Sequence, residues 1–454
     1  MELRNVLRRG ISGALAAAVV AGGLTAAATT TFTSGEAQAQ DEQFIPLLVY
    51  RTGPYAPNGI PAANGALDYY TLINERDGGI NGVRLAFEEC EYRYDTKLGV
   101  ECYERLKNQG PTGASIVMPL STGVTYQLNP RAPVDQIPVH SMGYGQTAAS
   151  DGRVFPWTFT FPTTYWSQAS AFIKFVGAEE GGMENLADKT IALIYHNSPY
   201  GKEPIPTLQV LAEKFGYTLE LLPVDHPGQE QRATWLQIRK IRPDWTFLWG
   251  WGVMNQVALK EAAAIAYDMN RLIGVWWSSS ESDVVPAGDD AIGYRGGSFH
   301  SPGAGFALHD EILASLYGGD AAAAAEKNFG EVLYNRGLLS SVYTSEAIRT
   351  AQAKYGNRPL TGEEVRWGLE NLDLTEERLA ELGLAGFTPP VKITCEDHEG
   401  NGPVIIQQWD GQNWNIVSDW IVPMQEVVRP MIEAAAAQYA EENNITPRDC
   451  SQEM

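Results

Sequence analysis

The chain has 454 residues, 44% of them apolar and 19% charged, and a net charge of −22. That length and composition fit two or more globular domains with sizeable cores. The acidic balance excludes nucleic acid and anionic membrane surfaces as partners.

The N-terminus reads as an export signal. Arg4, Arg8 and Arg9 precede a run of small apolar residues, "ISGALAAAVVAGGLTAAA", and Ala37-Gln38-Ala39 has the A-x-A form of a signal-peptidase site. Residues 1–39 are therefore expected to be a signal peptide removed on export to the periplasm. No later run approaches a membrane span.

Downstream, short apolar runs alternate with amphipathic stretches. Residues 44–50, 84–90, 115–120 and 138–142 read as buried strands, and 60–76 and 96–108 as helices. The order implies a parallel sheet covered on both faces. Residues 154–162 read as a crossover strand. The pattern then repeats, with a helix over 165–176 and strands over 190–196, 218–224, 245–250 and 271–278. Helices are expected over 201–216 and near 231–240 and 254–267. Residues 293–303 read as a second crossover, and helices follow over 340–356 and 363–372. Residues 391–423 show β-type alternation instead. Within them "WDGQNW" carries Asp-Gly at a hairpin turn, and 425–442 reads as a closing helix.

Four cysteines in an exported chain suggest two disulfides. The pairing Cys90–Cys102 and Cys395–Cys450 is the simplest of three connectivities. On the chain-entropy model the loops would contribute about 3 and roughly 4 kcal/mol. Zinc ligation fails on spacing, since there is no C-x-x-C and the six histidines are scattered.

In open parallel sheets, ligands bind beyond the carboxyl ends of the strands. The loops expected there are 50–59, 119–127, 141–147, 195–203, 250–255 and 276–283. They combine Ser, Thr or Gly at the turn with a nearby Tyr or Trp. Hydroxyls and bare N–H groups at helix N-termini bind polar or anionic heads, and aromatic rings give a flat apolar wall. The candidates are Arg51, Tyr55, Ser121, Thr122, Ser141, Met142, Gly143, Tyr144, Tyr200, Trp251 and Glu281. Arg51 is a candidate carboxylate clamp and Glu281 a candidate ammonium receptor. Trp245 and Phe247 read as core, and His196 and His300 as structural.

The stretch "YRTGPYAPNGIPAANGALDYYTLINERDGGINGVRL" resembles the opening of branched-chain-amino-acid-type solute-binding proteins of ABC transporters. "EYRYDTKLGVECYERL", "IYHNSPYGKEP" and "DHEGNGPVIIQQWDG" follow in the family's order. The resemblance implies the type I periplasmic binding protein fold: α/β, two Rossmann-like lobes with parallel central sheets joined by three crossovers, plus a C-terminal β-hairpin and helix. The expected division is 40–160 and 297–388 for lobe I, and 161–296 and 389–454 for lobe II.

Carried over by motif, Ser121 falls where a hydroxyl usually binds a ligand carboxylate, and Ser141 to Tyr144 where a second loop contributes N–H and hydroxyl groups. Tyr200 is the aromatic before the Gly of the "YG" motif, and Trp251 matches a covering aromatic. At Glu281 the "SSSES" loop departs from the usual glycine-rich form, which puts an α-amino group on the ligand in doubt. The additional Trp249, Trp276 and Trp277 suggest a more aromatic pocket.

The resemblance implies a monomer that captures a small organic ligand and docks on an ABC permease, with no cofactor, metal or catalytic residue. A sensory protein presenting its loaded form to a receptor or kinase is the alternative. An enzyme is disfavoured, because the chain has no G-x-S-x-G, H-E-x-x-H or P-loop motif.

Overall fold

The computed structural model describes residues 41–400 and 402–452; the expected signal segment lies outside them. The fold is α/β, built on two sheets. In the first, β1 (Gln43–Val49) pairs in parallel with β2 (Leu85–Glu91) in the register Gln43↔Leu85. Bridges at Leu47↔Met118 and Val117↔Val139 extend this sheet to β3 (Val139–His140), which pairs in parallel with β4 (Thr158–Phe159).

The second sheet is seven-stranded. Its parallel part comprises β5 (Thr190–His196), β6 (Thr218–Val224), β7 (Trp245–Trp249), β8 (Leu272–Gly274) and β9 (Arg295–Ser298). A small antiparallel pair, β10 (Asp373–Leu374) with β11 (Val391–Lys392), stands apart. The hairpin of β12 (Ile405–Trp409) and β13 (Trp414–Ile416) closes on Trp409↔Trp414 and adds to β9 antiparallel. The full order is β13-β12-β9-β8-β7-β5-β6. Every residue of the central β7 is buried, so its alternating rings sit in a strand covered on both faces.

Several expected strands are shorter than their runs: 138–142 pairs only over Val139–His140 and 154–162 only over Thr158–Phe159. Residues 115–120 contribute only the bridges at Val117 and Met118. The run 271–278 leaves the sheet at Gly274 and turns, with Ser278 N–H donating to the Val275 carbonyl. Here hydrogen bonds outside the ladder win. Ser278 and Ser279 hydroxyls donate to the carbonyls of Leu248 and Gly297. The Trp276 and Trp277 indoles donate across to the other lobe. Both disulfides form as expected, Cys90–Cys102 and Cys395–Cys450.

The helix Val332–Tyr355 starts eight residues before its expected position and packs along Ala56–Asp77. Glycines set that close approach. A Cβ on Gly65 would lie 2.0 Å from the Tyr334 carbonyl oxygen, and one on Gly337 would lie 1.8 Å from that of Ala62. The closing helix Gln425–Asn443 packs Ala436 and Ala440 against Ala149 and Phe155, and Val428 and Ile432 against Trp166. Gly337→Ala is expected to lower stability by about 1–3 kcal/mol, because backbone rather than a flexible side chain must yield. Urea denaturation with an unchanged midpoint would refute that account of the crossing.

Candidate ligand-binding cleft

The loops at the carboxyl ends of both sheets face each other across a narrow gap. Its walls are Tyr94, Leu120, Ser121, Thr122 and Tyr144 from the first lobe, and Tyr165, Tyr200, Trp251 and Trp277 from the second. Ser121 caps the helix Thr122–Leu128, its hydroxyl accepting from Val124 N–H at 3.3 Å. That arrangement puts a helix N-terminus at the gap. Thr122 Oγ1 accepts from Gly145 N–H at 3.1 Å and so ties this loop to the 141–147 loop.

Leu120 adopts φ +46°, which is uncommon for a residue with a side chain. Its peptide is held from several sides: its N–H donates to Tyr144 Oη at 2.8 Å, and its carbonyl accepts from Tyr92 Oη at 3.3 Å and Tyr50 Oη at 3.4 Å. Such over-determined strain is common at ligand clamps. The buried phenols of Tyr144 and Tyr200 are pushed up from the ordinary tyrosine value by desolvation, so they remain neutral donors. Tyr200 donates to the Gly250 carbonyl at 2.8 Å, which fixes its ring against the cleft. Trp251 Nε1 is buried without a hydrogen-bond partner among the described residues.

The lobes touch across the gap. Val253 N–H donates to the Pro54 carbonyl at 3.1 Å, and Asn58 Nδ2 to Asp283 Oδ1 at 3.0 Å. Thr147 Oγ1 donates to Glu203 Oε2 at 2.8 Å, and Tyr126 Oη bonds the same carboxylate. Trp276 and Trp277 both donate to the Gly143 carbonyl, at 2.8 and 3.1 Å. Tyr55 sits between two imidazoles of the opposite lobe, 2.9 Å from His196 Nε2 and 2.6 Å from His226 Nδ1.

The sequence candidates thus divide. Ser121, Thr122, Tyr144, Tyr200 and Trp251 line one gap. Tyr55 and Gly143 latch the lobes. Met142 faces a second, deeper chamber. Ser141 is fully buried and donates to the Phe159 carbonyl at 3.3 Å.

Arg51 and Glu281 are outside both linings. The Arg51 guanidinium is held by Glu89 at 2.6 Å and Asn64 at 2.8 Å, so a neighbouring carboxylate occupies the expected clamp. Glu281 Oε2 accepts from Val332 N–H at 2.8 Å, capping the long helix rather than facing the gap; burial pushes its carboxyl up to about 8. Tyr94 and Tyr165 are not among the residues that the sequence singles out. Tyr94 is presented by two successive left-handed residues, φ +55° at Arg93 and φ +62° at Tyr94. Tyr165 opens the helix capped by Thr164, and that cap is the signal the sequence offers for it.

A family model for periplasmic binding proteins matches residues 42–413. The chain belongs to the periplasmic binding protein family. No curated protein matches it. Among solved structures, one described as an ABC transporter permease from the Pseudomonas fluorescens group is 44% identical, with TM-score 0.84, over 90% of this chain and 100% of that one. A branched-chain amino acid ABC transporter from Thermus thermophilus with bound valine is 21% identical, with TM-score 0.71, over 86% and 99%. A solute-binding protein of an ABC transporter from R. palustris in complex with benzoate is 15% identical, with TM-score 0.63, over 84% and 97%. Among the described residues of this family member, no helix is long and apolar enough to cross a membrane.

The Tyr55 latch has a pH signature. Burial, reinforced by His226, pushes His196 down to about 3, and burial lowers His226; Asp225 opposes both shifts. A depressed imidazole stabilises the latched form fully above its ordinary value near 6.5 and loses that contribution as pH falls toward 3. Solute affinity is expected to weaken on acidification from about pH 7.5 to about 5, the range in which free histidine titrates. His226→Gln should flatten that response in calorimetric titrations. An identical pH profile in the variant would contradict the latch.

Proposed function

We propose that this family member captures a small organic solute between its lobes outside the cytoplasm and hands it to an ABC permease. The supporting observation is the gap itself, with aromatic walls from both lobes and polar loop ends meeting across it. Closure on a solute is a hinge motion, driven by the solute's higher affinity for the closed arrangement. We assign residues 1–39 to a signal peptide, 40–160 and 297–388 to lobe I, and 161–296 and 389–454 to lobe II. The working form is a monomer that binds without chemistry.

The solute class that suits these walls is a carboxylate-bearing aromatic or aliphatic compound, ahead of a standard branched-chain amino acid. The valine and benzoate seen in structural neighbours show that this fold admits both classes. Ser121 and Thr122 would present hydroxyls and the helix N-terminus, Tyr144 and Tyr200 neutral phenols, and Trp251 a covering ring and its indole N–H. With Glu281 capping a helix, the gap lacks the acid expected to hold an α-ammonium group.

Thermal unfolding with a panel of carboxylic and amino acids tests this reading. A true solute at a hundred times its Kd should stabilise the protein by about 2.7 kcal/mol. Trp251→Ala and Tyr200→Ala should each weaken that solute by roughly tenfold or more, as loss of a buried aromatic anchor does. Full affinity in both variants, or no stabilisation by any solute, would overturn the proposal.

A further inference from the structure

Behind the cleft lies a second, larger space, between helices 56–77 and 332–355 and the carboxyl ends of the first sheet. It shares Leu120, Tyr144 and Trp277 with the cleft, so the two spaces adjoin. Leu47, Ala63, Met118 and Met142 make its walls largely apolar. The charged side chain in this lining is Arg336, 1% exposed.

A guanidinium carries five N–H donors and ordinarily finds carboxylates or carbonyls when buried. Arg336 has little of this. Its Nε donates to His300 Nε2 at 3.2 Å, its Nη2 lies 3.5 Å from Ser298 Oγ, and its Nη1 has no partner among the described residues. The planar group stacks 4.6 Å from the Phe299 ring centroid and 5.0 Å from that of Trp277. His300 supplies no anion: burial and Arg336 itself drive it well below its ordinary value, so it stays a neutral acceptor. Asp283 and Glu281 act on Arg336 only from a distance. Asp283 is already taken by Asn58, Asn255 and Ser280, and Glu281 by Val332 N–H. A buried cation without a paired anion is costly.

A second unpartnered polar atom on this lining is Nδ1 of His140. Its Nε2 lies 3.1 Å from the Phe161 carbonyl, which only accepts, so Nε2 carries the proton. Burial pushes His140 down to about 4, leaving Nδ1 a bare acceptor at neutral pH. A bare acceptor repels a carboxylate, which directs an anionic head to Arg336.

We infer that this chamber is the compartment for an apolar monocarboxylate, with the head on Arg336 Nη1 and the body against Leu47, Ala63, Met118 and Met142. The inference rests on the solute-binding reading and deepens it: the carboxylate goes to Arg336, not to the Ser121 helix terminus, and the far end of the solute passes the shared Tyr144–Trp277 boundary to reach the Trp251 and Tyr200 walls of the cleft. Trp277 belongs to the opposite lobe, so parting of the lobes unroofs the chamber and admits the acid.

The test is calorimetric titration of the exported full-length chain with octanoate, 3-phenylpropanoate and their neutral amides. Wild type should bind at least one acid, and its amide roughly tenfold to a hundredfold more weakly, as expected for a lost charge-assisted bond. Arg336→Met should weaken the acid by a similar factor and leave the amide unchanged. Ala63→Leu, which fills the chamber without touching the guanidinium, should weaken both, and it carries the test if Arg336→Met fails to fold. Full acid affinity in either folded variant overturns the inference. So does loss of the acid preference in Ser121→Ala alone, which leaves the solute-binding reading standing. Binding of other solutes but neither acid also overturns only the chamber. Wild type that binds no solute at all sinks both.

Discussion

Two indole N–H groups from one lobe converge on one backbone carbonyl of the other. Gly143 accepts from Trp276 and Trp277, and this pair of bonds fixes where the lobes meet. Gly143 has φ +66°, and a Cβ there would lie 2.9 Å from Phe299 and 3.3 Å from Trp276. Both its conformation and its crowding therefore require glycine. Trp277 in turn forms a wall of the cleft and of the chamber, and Arg336 stacks on it. Moving that carbonyl would displace both spaces at once.

The same demand explains the chain's local departures from its own apolar pattern. Residues 271–278 read as one strand because Leu272, Ile273, Val275, Trp276 and Trp277 are all apolar. The strand stops at Gly274, where the backbone turns with Ser278 N–H donating to the Val275 carbonyl, and the two indoles then reach across the gap to Gly143. What was legible was repetitive or followed chain order: strand–helix alternation, the Asp-Gly hairpin and the pairing of each cysteine with its next neighbour along the chain. Ser121, Tyr200 and Trp251 were legible as strand-end residues, and they do converge. Arg336 was not. It lies within a 24-residue helix, and its unusual surroundings come from Ser298, Phe299 and His300, more than thirty positions away in sequence. Arg51 and Glu281 lie outside the cleft lining for a related reason. Each has a closer partner, Glu89 or the Val332 N–H, that no spacing rule reveals.

The electrostatics of the interior differ from those of the whole chain. The net charge of −22 is carried mostly by surface carboxylates. The buried acids at the lobe boundary are engaged: Asp283 with Asn58, and Glu203 with Tyr126 and Thr147. Burial raises both carboxyls, so hydrogen bonds from the opposite lobe offset a desolvation cost that opening would relieve. The nearby imidazoles of His196, His140 and His300 are all depressed and neutral. Closure thus assembles mainly neutral donors and acceptors around a space that holds a guanidinium without a paired anion. This arrangement suits an anionic guest.

The central claim is that a solute drives two lobes together across this gap. Val134 and Leu236 are 81% and 50% exposed on opposite lobes and can each carry a spin label through a cysteine substitution. Pulsed dipolar spectroscopy would then read the distance between them with and without a saturating carboxylate that raises the melting temperature. The account predicts a broad, longer distribution that collapses to one shorter distance when the solute is present. The same distribution in both states would contradict it.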